Sequence, residues 1–303
     1  MSHEITVIIP AHNAAATVET AIRSTLRALP PSAAVLVHDD ASTDDTWDLL
    51  SSVRDPRLHL WRSGDRRGVA DGLNLLLERV TSRLVARMDA DDVVLPWRFR
   101  RQRQVLGQGH DVVFSTVGRF GAGVASLRLN PPVRLGPEAM NLNLLVQNPV
   151  AHATFIGRTA LVHDLGGYRK MPSEDYDLWL RIAADGHSLV RDAVPTLLSR
   201  EHPLQVTAAR SWVAQARQSD GFRDAYRALS LRVLGLEPVW FDGLRGRESR
   251  ADPAVDAALM QFADAVTLAA QHLSRPERIL LDRRLRGRLT ALEERRRASQ
   301  GGG

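Results

Sequence analysis

The chain has 303 residues, a net charge of +5, 44% apolar and 25% charged residues, and no cysteine. The length exceeds the common single-domain size, and the composition is ordinary globular usage that excludes disordered, collagenous and rod-like classes. Without cysteine there is no disulfide framework, thiolate nucleophile or Cys-based zinc site, so any metal must be held by carboxylates or histidine.

Ile5–Ile9 is a short β-branched run closed by Pro10, the pattern of a buried strand. Asn13 can cap the next helix, in which Val18, Ala21, Ile22, Thr25, Leu26 and Leu29 recur at helical spacing until Pro30-Pro31. Ala34–His38 predicts a second strand, running into the acidic turn Asp39–Asp44. A helix is expected over Asp45–Val53, a strand over Arg57–Trp61, a helix over Val69–Val80 and a strand over Arg83–Met88, ending in Asp89-Ala90-Asp91-Asp92. This alternation implies right-handed crossovers and an α/β fold: a doubly wound, mostly parallel sheet flanked by helices. The middle is less regular, with strands expected at Asp111–Gly118 and Asn148–Ile156 and a helix at Asp175–Ala184. Beyond about Pro203 the pattern becomes helical and arginine-punctuated, an α-helical C-terminal extension broken at Gly235–Gly246. Its last helix is basic, with Ile279, Leu281, Leu285, Leu289 and Leu292 read as one apolar stripe. The expected divisions are a sheet domain over 1–205, a helical region over 206–300 and a frayed tail at 301–303.

Ligands of such sheets sit beyond the carboxyl ends of the strands. Three polar clusters, at residues 10–13, 39–44 and 89–92, each follow a strand end. In Asp89-Ala90-Asp91-Asp92 three carboxylates repel one another, and a divalent cation with a taste for hard oxygen ligands, Mg²⁺ or Mn²⁺, relieves that repulsion. A plain surface turn or helix cap is the competing reading. An aspartate in Asp39–Asp44 can accept from a base N–H or a ribose hydroxyl, or cap the next helix. Glu174 and Asp175 open an amphipathic helix, where the helix dipole favours acids and where a fixed carboxylate can also serve as a general base.

Thr6–Asn13, the Asp39–Asp44 turn, Gly68 through Asn74, Asp89–Asp92 and Glu174-Asp175-Tyr176 stand in the order seen in family 2 glycosyltransferases of the GT-A fold. The chain resembles that family from about residue 5 to residue 202. The resemblance implies an inverting, metal-dependent transferase that moves a sugar from a nucleotide-diphosphate sugar to an acceptor hydroxyl, in glycan or glycoconjugate biosynthesis. It implies Asp40 as the partner of the base, with Pro10, Ala11, His12 and Asn13 lining base and ribose and Gly68 and Ala90 nearby. Arg67 departs from the uncharged residue common before that glycine and can either reach base or diphosphate or stand exposed. Asp89 is similar to the acid near the ribose and Asp91 to the metal ligand, with Asp92 able to share that task. His202 is a further metal or phosphate candidate. Asp175 stands where the family places its catalytic base, and His152, Glu174 and Trp179 fall in segments near donor or acceptor sugar. Mn²⁺ or Mg²⁺, a UDP- or dTDP-sugar, and a glycan, lipid-linked or small-molecule acceptor are the partners this resemblance implies.

Two other readings stay open. A sugar nucleotidyltransferase is also doubly wound and uses Mg²⁺, but Pro10-Ala11-His12-Asn13 offers no Gly-rich phosphate cradle. A catalytically silent sugar-nucleotide-binding scaffold would keep the acids without the reaction. Nucleic acid is not an expected partner, because acids are interspersed among the arginines and no aromatic–basic motif occurs. No signal peptide or membrane span is evident, and the expected location is the cytoplasm, with association at the inner membrane face left open. The basic last helix can lie on anionic lipid, pack on the rest of the chain, or pair two subunits in a homodimer.

Overall fold

In β1 (Ile5–Ala11), Ile5, Val7, Ile8 and Ile9 are all fully buried, so the strand needs cover on both faces. The computed structural model describes residues 4–121, 127–201, 219–239, 241 and 253–300. Strands and helices first alternate as the sequence predicts: α1 (Val18–Ala28), β2 (Ala34–Asp39), α2 (Thr46–Ser52), β3 (Leu58–Arg62), α3 (Val69–Leu77) and β4 (Leu84–Arg87). These strands lie parallel in the order β3-β2-β1-β4. The period of two sends Val7, Ile9, Val35 and Val37 into an apolar layer with α1, while Ile8 and Leu36 enter a second layer with α3. Helix α3 approaches β2 closely at Gly72, where a Cβ would stand 2.8 Å from His38 Nδ1.

Pro10 does not end β1, which runs on to Ala11. The Ile8 carbonyl faces the β4 side and accepts from Met88 N, and the Ala11 carbonyl faces the β2 side and accepts from Asp40 N. Pro10 therefore turns its missing donor towards β4, whose last paired residue is Arg87, and costs the β2 ladder nothing.

The second half is mixed. After β5 (Val93–Val94), α4 (Arg98–Leu106), β6 (Val112–Phe120), β7 (Arg128–Leu129) and α5 (Pro137–Val146) come β8 (Ile156–Arg158), α6 (Thr159–Asp164), α7 (Glu174–Ala184) and β9 (Leu189–Arg200). The full order is β3-β2-β1-β4-β8-β6-β9-β5, with β7 on β6. β8 is antiparallel to both β4 and β6, while β6 and β9 run parallel. The strand expected over Asn148–Ile156 is instead a loop and a 3-10 turn at His152–Thr154, with pairing confined to Ile156–Arg158. Pro149 lacks a ladder donor, and Thr154 bonds back to the Ala151 carbonyl, so the segment turns.

The helical C-terminal region holds α8 (Asp220–Leu234), α9 (Pro253–Ala269) and α10 (Arg275–Gln300). Helix α8 ends on Gly235 at φ +67°, a left-handed cap suited to glycine and the start of the expected break. Phe222, Tyr226, Leu229, Phe262, Leu281 and Leu285 join Trp179 and Leu180 in one apolar cluster, so these helices share the core of the sheet's second half. Leu281 and Leu285 are buried and Leu289 packs against them, but Ile279 is exposed. Two helical residues two apart point some 200° apart, which takes Ile279 off the stripe. Leu292, the boundary at 205 and the tail at 301–303 lie outside the described residues and side chains. Among the described residues no helix is long and apolar enough to cross a membrane.

Candidate active site

The ends of β1 and β2 are stitched together by short polar bonds. His12 donates from Nδ1 to the Asp40 carbonyl at 2.8 Å, Asn13 N–H reaches Ser42 Oγ at 2.9 Å, and Asn13 Oδ1 accepts from Thr43 N at 2.9 Å. Asp40 is buried, and its two carboxylate oxygens accept the N–H groups of Arg67 at 2.7 Å and Gly68 at 2.8 Å. This folds the loop before α3 over the end of β2. Each oxygen retains lone-pair capacity beyond one bond. Asp39, beneath it, accepts from Ser42 and pairs with Arg62 Nε at 3.1 Å. The Arg67 side chain is exposed, and Gly68 takes φ +90°.

Among the described residues the non-glycine residues with left-handed φ are Asn13, Ala41 and Ser173. All three stand at these loops, one after β1, one after β2 and one before α7. Conformations of this kind persist only where surrounding bonds impose them.

Beyond β4, Asp89, Asp91 and Asp92 each offer a carboxylate oxygen within 4.8 Å of the others. Asp89 is held by both terminal nitrogens of Arg87, itself buried as the last residue of β4. Asp92 accepts Arg200 N–H at 2.9 Å, and Arg200 Nε donates to the Asp91 carbonyl at 3.1 Å, so the end of β9 closes over this loop. Burial, reinforced by the charges of Asp89 and Asp91, pushes the Asp92 carboxyl up to about 8. Underneath, fully buried Arg98 donates to the Arg87 carbonyl at 2.7 Å and to Gln102 at 3.1 Å. Three hard oxygen donors that repel one another fit a divalent cation such as Mg²⁺ or Mn²⁺.

The third part comes from the start of α7. Ser173 at φ +58° precedes the first turn of α7, which carries Glu174 and Asp175, both near enough to Asp89 for their charges to interact with it. Asp175 Oδ2 accepts from Asn148 Nδ2 at 3.0 Å. Burial raises the Asp175 carboxyl, opposed by the Tyr176 N–H, by the charge of Arg87 and by the Asn148 bond. Burial, then the charge of Asp175, pushes Glu174 up to about 7. Asp89 in turn is raised chiefly by burial, and the charge of Asp175 adds to this. Acids far apart in sequence thus converge on one guanidinium, Arg87.

His152 lies on the same wall, its side chain 9% exposed, 3.0 Å from the Tyr168 hydroxyl through Nε2 and 3.9 Å from Glu174 through Nδ1. Burial, with Arg87 nearby, holds it well below its ordinary value, so it is neutral. Trp179 does not reach the cleft. It is fully buried against Phe114, Phe155 and the edge of His152, because an apolar ring on the inner face of α7 faces the core. No face of it is open to a sugar. His202 lies outside the described residues. A shallow groove lined by Leu29, Pro30, Trp97, Phe99 and Arg103 holds none of these acids.

Sequence reasoning gave no role to Arg87, Arg98, Asn148 or Tyr168. Arg87 carried a signal, a charge inside an otherwise apolar strand; Asn148 and Tyr168 carried none that separates them from ordinary loop residues. Asn74 ties this wall down, bonding both the N–H and the carbonyl of Tyr168, at 2.9 and 2.7 Å.

A parallel half-sheet is thus joined to a mixed half, with acids gathered beyond the strand ends. The Glycosyl transferase family 2 profile matches residues 6–166, more than half of the chain, and the protein belongs to that family. The amylovoran biosynthesis glycosyltransferase AmsE of Erwinia amylovora is 33% identical over 151 residues, 48% of this chain and 55% of that protein. The chain thus spans about half of AmsE's length. The Escherichia coli enzyme WfaP, a UDP-Glc:alpha-D-GlcNAc-diphosphoundecaprenol beta-1,3-glucosyltransferase, is 25% identical over 184 residues, 60% of this chain and 71% of its own. Among solved structures, S. aureus TarS with UDP-GlcNAc superposes with a TM-score of 0.61 at 17% identity, covering 94% of this chain and 90% of that one. The mannosyltransferase PcManGT of Pyrobaculum calidifontis, with GDP-Man and Mn²⁺, gives 0.56 at 20% identity, covering 96% and 87%. At these identities the two structures speak for the fold.

Proposed function

We propose that the protein is an inverting, metal-dependent glycosyltransferase that moves a sugar from a UDP- or dTDP-sugar to an acceptor hydroxyl in polysaccharide biosynthesis. The observation that carries this reading is the meeting of the Asp89–Asp92 cluster and Asp175 around Arg87. Asp91, with Asp92, is assigned to hold a divalent cation, which supplies neutralisation of the charge that develops on the departing diphosphate. Asp40 and the Pro10–Asn13 segment hold base and ribose, and Asp89 meets the ribose. Asp175 accepts the proton of the acceptor hydroxyl while that oxygen forms its bond to the anomeric carbon from the face opposite the leaving diphosphate. Neutral His152 and Glu174, which keeps its proton below about pH 7, are available to hydrogen-bond sugar hydroxyls beside it.

A lipid-linked saccharide acceptor is favoured by the diphosphoundecaprenol acceptor in the name of WfaP, and such an acceptor would bring the enzyme to the cytoplasmic membrane surface. The catalytic unit is assigned to 1–205 and the helical region to 206–300. The test is release of nucleoside diphosphate from a panel of UDP- and dTDP-sugars with Mn²⁺, in the wild type and Asp175→Asn. The variant is expected to keep donor binding while turnover falls by about 10²–10⁴-fold; turnover at the wild-type rate overturns the assignment. Diphosphate released from a nucleoside triphosphate would mark a nucleotidyltransferase instead.

A further inference from the structure

Helix α5 joins the C-terminal helices to the proposed base. At its start, Gly136 N–H donates to Glu277 Oε1 of α10 at 2.7 Å, while Glu277 Oε2 is fixed by Ser274. Midway, Arg284 of α10 donates to the side-chain oxygen of buried Asn143 at 2.5 Å. At its end the last carbonyls of a helix need outside partners. Here the Leu145 carbonyl accepts from the Tyr226 hydroxyl of α8 at 2.6 Å, and the Leu144 carbonyl accepts from Tyr176 of α7. Three residues further on stands Asn148.

The Asn148 amide has one sensible orientation. Its Oδ1 accepts Val150 N–H at 3.3 Å, and its Nδ2 donates to Asp175 at 3.0 Å. A flipped amide would set NH₂ against N–H and oxygen against carboxylate, two repulsive contacts in place of two bonds. The next carbonyl, of Pro149, accepts from buried Arg191 at 3.0 Å, so the loop that carries Asn148 is pinned on both sides.

We propose that Asn148 is the positioning residue of Asp175, and that α8 and α10 act on the reaction through it by fixing helix α5. The proposal rests on Asp175 being the base. It gives the C-terminal helices a part in catalysis without any contact with substrate. A base must be aimed within a narrow angle, and a displacement of about 1 Å costs on the order of 10²-fold in rate.

The test uses the full chain without added metal. It follows the ¹³C-carboxyl resonance of Asp175 against pH, identified by its loss in Asp175→Asn. Arg87, Glu174, Asp89, Tyr168 and the Tyr176 N–H face this carboxylate and remain in every variant. Asn148→Ala removes a bond that favours the charged form, so the midpoint is expected to rise. Tyr226→Phe, which deletes one distant hydroxyl, is expected to raise it by less, and Arg227→Ala on the outer face of the same helix leaves it unmoved. UDP release from UDP-glucose with Mn²⁺ is expected to fall by about 10- to 100-fold in Asn148→Ala, with KM for the donor little changed. An unmoved midpoint in Asn148→Ala overturns the positioning role. A midpoint that moves there but not in Tyr226→Phe overturns the route through the C-terminal helices. If Asn148→Ala does not fold, Asn148→Ser, too short to span to Asp175, takes its place. Full turnover in Asp175→Asn would remove the base assignment instead, while the titrations would still report whether Asn148 holds that carboxylate.

Discussion

Replacing Glu174 with glutamine removes one ionisable group from a wall crowded with acids while keeping its shape. The Glu174 side chain is 9% exposed, and burial, followed by the charge of Asp175, moves its carboxyl from 4.5 to about 7. Between those two values the folded chain keeps a proton that the unfolded chain has released. The stability contributed by this group is therefore fully present below pH 4.5 and is lost as pH rises through about 7. At 1.36 kcal/mol per pH unit the interval is worth about 3 kcal/mol. Asp92, pushed up to about 8, adds a decline of the same sign in both proteins. Urea unfolding without metal, from about pH 5 to about pH 8, is expected to show wild-type stability falling and Glu174→Gln falling less, by about 2–3 kcal/mol. Parallel pH profiles for the two proteins would refute the claim that Glu174 is held protonated by its surroundings.

Arg98→Met deletes a buried cation whose bonds hold the Arg87 carbonyl and Gln102. It is expected to cost about 2–4 kcal/mol in urea unfolding, and a loss under about 1 kcal/mol would show that the bonds matter little. Asp91→Asn is expected to abolish the rise in melting temperature that Mn²⁺ gives the wild type, and a full rise in the variant would move the metal to other ligands. Ala41, at φ +56°, carries a side chain where glycine is at ease. Ala41→Gly is expected to stabilise the fold by about 0.5–1 kcal/mol, and a destabilised variant would mean the turn is not strained.

The sequence alone determined the first four strands and their helices, because Ile5–Ile9 and Ala34–Val37 are runs that must be covered on both faces and Pro30-Pro31 stops the helix between them. It also placed Asp40, Asp89 and Asp91 just beyond strand ends and Asp175 at the opening of a helix, where the folded chain has them. Of the mixed half of the sheet it gave the strand expected at Asp111–Gly118, found as Val112–Phe120, but not the rest. The strands Val93–Val94, Arg128–Leu129 and Ile156–Arg158 have two or three residues each, too few to carry a period, and they exist through the neighbours they pair with. Nor did it separate Trp179, a core ring, from a sugar contact: an aromatic residue four positions after Asp175 reads alike in either role until the helix is rotated against its neighbours. Arg87, Asn148 and the tyrosines that pin helix α5 act through contacts across long stretches of chain. Local patterns record which residues want burial or a bond; only the folded chain decides which partner each of them meets.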